Sequence, residues 1–245
     1  MMIKSDSRTK VTTLPSIGLL IPVGNTVMEG DFHRELDGTL RVHTSRMMLE
    51  EVTVSGEQRM LDDEAEPAAH RLRKTRPVLV AFGCTSASSL HGEAYDEALR
   101  RRLGNIVGAP VVGVLSSAIA MLVDKGPIGL FTPYVTELSD RIAASLRAGG
   151  VEVKKVCSLG ISDISTIGAI APEEIVEHVG SMDLSGTETV FCSCTNLRAY
   201  EAYSELLAVT RRNIVTSNQA MVDTVRVFCA SDTVVATYEN DSGLT

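Results

Sequence analysis

Two cysteines stand where a short apolar run meets a polar turn. Val78-Leu79-Val80-Ala81-Phe82 leads into Gly83-Cys84-Thr85-Ser86, and Thr189-Val190-Phe191 leads through Cys192-Ser193 into Cys194-Thr195-Asn196. Runs of this length, rich in Val and Phe and closed by small residues, read as strands. A thiol just past the carboxyl end of a parallel strand sits where open α/β sheets bind ligands, and N–H groups at a following helix start favour an anion. The same placement lowers a thiol pKa, so one of the pair is expected to be a thiolate near neutrality. It would serve as nucleophile or base, with the facing thiol as acid. Thr85, Ser86, Thr195 and Asn196 add side-chain donors. The chemistry this pattern points to is a carboxylate cradled between two thiols.

The other cysteines read differently. A lone Cys is usually a small buried hydrophobe, which is the expectation for Cys157 and Cys229. Cys192 lies two residues before Cys194 and should point to the same face deeper in the sheet, a structural place. No His or Cys cluster completes a metal site around Cys192-x-Cys194.

The spacing repeats. Cys194 follows Cys84 by 110 positions (194 − 84), and Ile128-Gly129-Leu130-Phe131-Thr132-Pro133 follows Ile17-Gly18-Leu19-Leu20-Ile21-Pro22 by 111 (133 − 22). Two matched pairs in one order at nearly one offset indicate a duplicated half-chain. Four turns then fall at strand carboxyl ends, marked by Asn25, Cys84, Tyr134 and Cys194. If the halves pack about a pseudo-twofold, the two thiols face one cleft.

Composition bounds the alternatives. The chain has 245 residues, 44% hydrophobic but only 4% aromatic with no Trp, so its core is aliphatic, as buried parallel strands require. A net charge of −8 argues against nucleic acid as partner, while local donors can still bind a small anion. Residues 1–13 read as a polar, loose leader without the apolar centre of a signal peptide. No run approaches the ~18 apolar residues of a membrane span. Five cysteines without regular spacing fit a reducing cytoplasm. Neither a dinucleotide fingerprint nor a phosphate loop is present, so no organic cofactor and no metal is expected. A homo-oligomer stays open.

The elements that must carry the cysteines follow from pattern. Strands are expected at 17–22, 39–44, 78–82, 111–115, 128–132, 151–156, 189–191 and 214–216. Helices are expected up to about 36, from 55 through about 72, and over 93–103, 118–123 with Ser116 as N-cap, 136–148, 172–179, 197–210 and 218–228. A turn is expected at Pro133-Tyr134, and the acidic run Asp62-Asp63-Glu64 is expected to be a solvated helix face. Arg46 and His91 read as structural or peripheral, and the stretch from Thr237 as frayed. Alternating strands and helices imply right-handed crossovers and parallel sheets. The fold class is therefore α/β, two similar Rossmann-like domains with the site between them. The expected division is 14–117 plus 217–245 for the first domain and 118–216 for the second.

On Pro22-Val23-Gly24-Asn25-Thr26, Gly83-Cys84-Thr85-Ser86, Thr132-Pro133-Tyr134 and Ser193-Cys194-Thr195-Asn196, the chain resembles the aspartate/glutamate racemase superfamily. Within it the likeness is to the maleate cis-trans isomerase and arylmalonate decarboxylase branch, and it extends from Ile17 to about Phe228. The resemblance implies two Rossmann-like domains, no cofactor and a site between them. It also implies Cys84 as nucleophile or first base and Cys194 as opposite acid/base. Asn25 and Tyr134 would hold substrate carboxylates, aided by Thr85, Ser86, Thr195 and Asn196. The decarboxylases of the branch look like one-cysteine enzymes, so two thiols weigh against decarboxylation. The compared maleate isomerases carry an Asn after the Asp of the Gly160-Ile161-Ser162-Asp163 loop; Ile164 stands there here, which removes a donor to one carboxylate.

The reading that results is a cofactor-independent isomerase acting on a small dicarboxylate or its derivative. Its rivals are a racemase or epimerase of an acidic amino acid, an arylmalonate-type decarboxylase and a non-catalytic binder of small acids.

Overall fold

The computed structural model describes residues 14–230. It contains two parallel four-stranded sheets of the same strand order, β2-β1-β3-β4 and β6-β5-β7-β8. The first half runs β1 (Ser16–Pro22), α1 (Met28–Leu36), β2 (Arg41–Met47), α2 (Val54–Asp63), α3 (Ala65–Arg73), β3 (Leu79–Phe82), α4 (Thr85–Ser88), α5 (Glu93–Val107) and β4 (Val111–Gly113), and α6 (Val114–Leu122) leads out of it. The second runs β5 (Ile128–Tyr134), α7 (Thr136–Ala148), β6 (Val153–Ile161), α8 (Ile164–Ala169), α9 (Pro172–Gly180), β7 (Thr189–Cys192), α10 (Tyr203–Thr210) and β8 (Asn213–Thr216), closed by α11 (Ser217–Cys229). The repeat read from the sequence is thus a repeat of topology.

Position in the sheet explains the strand compositions. β1, β3, β5 and β7 are interior and buried at every residue, hence their continuous apolar runs. β2 and β6 are edge strands and mix buried with exposed residues, hence Arg41-Val42-His43 and Lys154-Lys155. The core is aliphatic, with four phenylalanines, Phe32, Phe82, Phe131 and Phe191, as its largest fully buried side chains. The final helix returns to the first half: Met221, Val222 and Val225 of α11 bury with Ile17, Leu19, Phe32 and Val114.

Several boundaries differ from the sequence reading for identifiable reasons. The turn expected at Pro133-Tyr134 is strand. Pro133 lies beyond the last β5–β7 pair, Phe131 with Cys192, and inside a register shift against β6, so its missing N–H removes no ladder bond. The helix after β4 begins at Val114 with Gly113 as N-cap, and Ser116 sits inside it, its hydroxyl donating to the Gly113 carbonyl at 2.9 Å. Residues 197–202 form turns, and the expected helix 197–210 starts only at Tyr203. β6 extends to Ile161, and the loop beyond it folds into α8, whose N-cap Asp163 accepts from Thr166 N at 2.7 Å. As expected, Gly149 closes α7, Pro172 opens α9, and Asp62 and Asp63 are solvent-exposed. The leader 1–13 and the tail from Thr237 lie outside the described residues.

Candidate active site

The carboxyl ends of the strands converge on one small cavity. Pro22 ends β1 and Asn25 follows it, Cys84 and Ser86 follow β3, Tyr134 ends β5, and Cys194, Thr195 and Asn196 follow β7. Leu49 and Val52, between β2 and α2, close it from one half; Ile164 and Ile167 of α8 close it from the other. Its volume is about 20 Å³, room for about one water. The Val52 N–H donates to the Ser162 carbonyl at 2.8 Å and ties the two closing segments together. Any ligand larger than a water molecule therefore needs this space to widen. A larger hollow of about 580 Å³ between Glu97, Arg101 and Pro110 lies away from both cysteines.

Of the eight residues singled out from the sequence, seven line this cavity; Thr85 does not. Its hydroxyl is buried 3.3 Å from that of Ser217 at the start of α11. Asn25 and Asn196 line the wall, but their amides are committed to bonds within the protein, at least one from each crossing between the halves. Asn25 Oδ1 accepts from the N–H groups of Val27 and Met28 at 3.1 and 3.0 Å, and its Nδ2 donates to Thr195 Oγ1 at 2.9 Å. Thr195 Oγ1 in turn donates to the Gly83 carbonyl at 2.9 Å. Asn196 Oδ1 accepts from Thr26 N at 2.9 Å, and Nδ2 donates to the Ile164 carbonyl at 2.8 Å. These amides fix the opposed turns against each other. Close approach adds to this: a Cβ on Gly24 would come 2.5 Å from Ile164 Cγ2.

The sequence reading did not find Glu57. This residue of α2 is fully buried and lines the cavity beside Cys84. Cys84 Sγ donates to Glu57 Oε2 at 3.2 Å, and Ser86 Oγ donates to Oε1. Its helix is capped by Thr53, whose hydroxyl accepts from Gly56 N at 3.2 Å. Gly56 is required there, because a Cβ would sit 2.1 Å from the Glu51 carbonyl oxygen. The available signal was α2's apolar face: Met60 and Leu61 are buried, and Glu57 stands at helical spacing before them. A charged residue on an apolar stripe is a reason to look for a partner.

Burial dominates the titration of the site. It pushes the Glu57 carboxyl up to about 7, against the pull of the Ser86 and Cys84 donors. It drives the Cys84 thiol well above its ordinary range, and the neighbouring Glu57 charge adds to this. The Cys194 thiol is raised to about 12, again by burial, opposed by the Tyr134 hydroxyl and the Asn196 N–H; the latter donates to Cys194 Sγ at 3.2 Å. The expected resting thiolate is thus corrected: both thiols hold their protons in the closed site. α4 is only four residues long, too short a dipole to outweigh full burial. What the arrangement provides is one thiol with a carboxyl acceptor beside it and one thiol with donors beside it.

The remaining residues read from the sequence are peripheral to the cavity. Cys192 is buried within β7, Cys157 and Cys229 are half-buried elsewhere, and all five cysteines are free. Arg46 donates to the Asn25 carbonyl at 2.7 Å and pairs with Glu29, so it supports the Asn25 turn from outside. His91 contacts Gln58 and Tyr95. Among the described residues, no three His, Cys, Asp or Glu side chains are grouped to hold a metal ion, and no helix is long and apolar enough to cross a membrane.

Known proteins share this architecture. A maleate isomerase of Alcaligenes faecalis is 30% identical over 192 residues, 72% of this chain and 76% of its own length. The maleate isomerase Iso from Pseudomonas putida S16 superposes with a TM-score of 0.81 at 22% identity, covering 88% of this chain and 93% of that one. At 18% identity and a TM-score of 0.80, a cysteine-to-serine variant of the Nocardia farcinica maleate cis-trans isomerase covers 87% of this chain and 91% of its own; it carries a covalently bound succinylcysteine intermediate. The family model described as arylmalonate decarboxylase matches residues 17–239, and the chain belongs to that family.

Proposed function

We propose that this protein is a cofactor-independent cis-trans isomerase of a small unsaturated diacid or its derivative, with Cys84 as nucleophile and Cys194 as facing acid. The observation that carries this reading is the pair of thiols on the wall of one closed cavity, one beside a proton acceptor and one beside proton donors. The Alcaligenes relative is a maleate isomerase, and the succinylcysteine adduct of the Nocardia enzyme shows the covalent chemistry open to such a site.

Each step follows from the neighbours. The Cys84 proton passes along its hydrogen bond to Glu57 as sulfur adds to one alkene carbon, forming a C–S bond. The former π pair is taken up by the adjacent carboxyl as an enolate. Cys194 gives its proton to the carbanion carbon, and the thiolate so formed is stabilised by the Asn196 N–H and the Tyr134 hydroxyl. The central bond is now single and rotates. Cys194 then takes a proton back, the C–S bond breaks to give the trans alkene, and Glu57 returns its proton to Cys84. Leu49, Val52, Ile164 and Ile167 keep bulk water from the intermediate.

The working unit we propose has two halves, 14–117 with 217–245, and 118–216; the packing of α11 on the first core supports it. Five unpaired cysteines support a reducing, cytoplasmic setting. A proton-NMR screen of maleate, citraconate and aspartate in deuterated water tests the reading. Loss of the cis vinyl signal with growth of the trans signal is the expected result. Exchange of an α-proton on aspartate without alkene isomerisation would replace it with racemisation.

A further inference from the structure

The charges around the cavity are one-sided. Glu57 is wholly buried in its wall, and the other titratable groups facing it are Cys84, Tyr134 and Cys194, none of them a cation. No Lys, Arg or His lines the space. Leu49, Val52, Ile164 and Ile167 offer only apolar surface, and the amides of Asn25 and Asn196 are already hydrogen-bonded within the protein, each with at least one bond to the opposite half. The Ser86 hydroxyl, a donor that could have met a substrate anion, is turned to Glu57.

A dianion entering this space meets an acid and no counter-charge. Whichever of the pair holds the shared proton, Cys84 and Glu57 together carry one negative charge once Glu57 is ionised, and in an enclosed site such like charges repel strongly. A carboxylate arm could meet Glu57 only when the acid is protonated. A primary amide fits both states, giving N–H to the carboxylate and C=O to the acid.

We infer that Glu57 sets the substrate class: a small unsaturated monoanion with one carboxylate, whose second arm, lying against Glu57, is a neutral amide-like group in place of a second carboxylate. The unsaturation rests on the isomerase reading above; the charge preference does not.

The test separates the two. Binding of succinamate and of succinate, saturated and unable to accept a thiol, is measured by titration calorimetry on the full-length protein at about pH 8, where an acid titrating near 7 is ionised. Succinamate should bind wild type at least about tenfold more tightly than succinate. Glu57→Gln should bring the ratio to within about threefold, chiefly by a gain in succinate affinity, whereas Asp62→Asn on the exposed face of the same helix should keep the wild-type ratio. Equal or tighter succinate binding by wild type overturns the inference whether or not the Gln variant folds. So does a ratio unmoved in a folded Gln variant, or binding of neither probe at about 10 mM. Wild type is then given maleate and its monoamide under NMR. Faster isomerisation of the monoamide is the expected outcome, and faster isomerisation of maleate overturns the inference. Isomerisation of neither, with the binding ratio intact, overturns the isomerase reading and leaves the charge preference standing.

Discussion

The two cysteine turns are built on equivalent strands and differ in what surrounds the sulfur. After β3, Cys84 donates to a buried carboxyl; after β7, Cys194 accepts from a backbone N–H and lies beside the Tyr134 hydroxyl. The difference arises outside the repeat. Glu57 comes from α2, and the corresponding connection of the second half, from β6 to α8, brings Ile164 and Ile167 to the cavity instead. A duplicated scaffold thus supplies two like thiols, and the segments laid over it make one a proton donor to its neighbour and the other an acceptor. Under the proposed roles, chemical direction would come from this asymmetry, since two equivalent thiols would have equivalent roles.

Removing each thiol breaks the comparison most directly. Cys84→Ala should lower turnover by about 10⁴-fold or more, because no other group beside α4 can add to an alkene. Cys194→Ala should lower it by roughly 10²- to 10³-fold, the scale of a lost general acid, and leave measurable slow turnover. Both are read from NMR progress curves at saturating substrate; equal losses in the two variants would remove the proposed division of roles.

The asymmetry should also appear in stability. The folded Glu57 carboxyl is raised from 4.5 to about 7, so between those values the unfolded chain gives up the proton and the folded chain keeps it. This residue's contribution therefore falls as pH rises through that window, and the penalty is complete above about 7. Glu57→Gln should gain on the order of 3 kcal/mol over wild type at about pH 8 and nothing from this source below about pH 4.5. Urea midpoints across pH measure it; a pH-independent difference between the two proteins would contradict the buried-acid account.

The tie between the turns is smaller and structural. Asn25→Ala leaves the Val27 and Met28 N–H groups and Thr195 Oγ1 without their partner, which should cost about 2–3 kcal/mol in urea unfolding. The smallest effects are expected at the cysteines outside the cavity. Cys157→Ala and Cys229→Ala should keep rate constants within about twofold of wild type in the same assay.

The sequence by itself determined the periodic part of this protein. Interior strands such as Leu79–Phe82 and Thr189–Cys192 announce themselves because burial on both faces demands continuous apolar residues, and the offset between Cys84 and Cys194 exposed the duplication. Pro172 and Gly149 marked helix ends through backbone constraints local to each residue. Only the tertiary structure decided what those constraints do not reach. It took the amides of Asn25 and Asn196 for the junction between halves, turned Thr85 toward Ser217, kept β5 running through Pro133, and drew Glu57 out of a helix pattern to stand against Cys84. Those outcomes depend on contacts between residues far apart in the chain. So does the ionisation state of the site, because burial, which no single stretch of sequence specifies, outweighs the local backbone in setting the protons of both thiols.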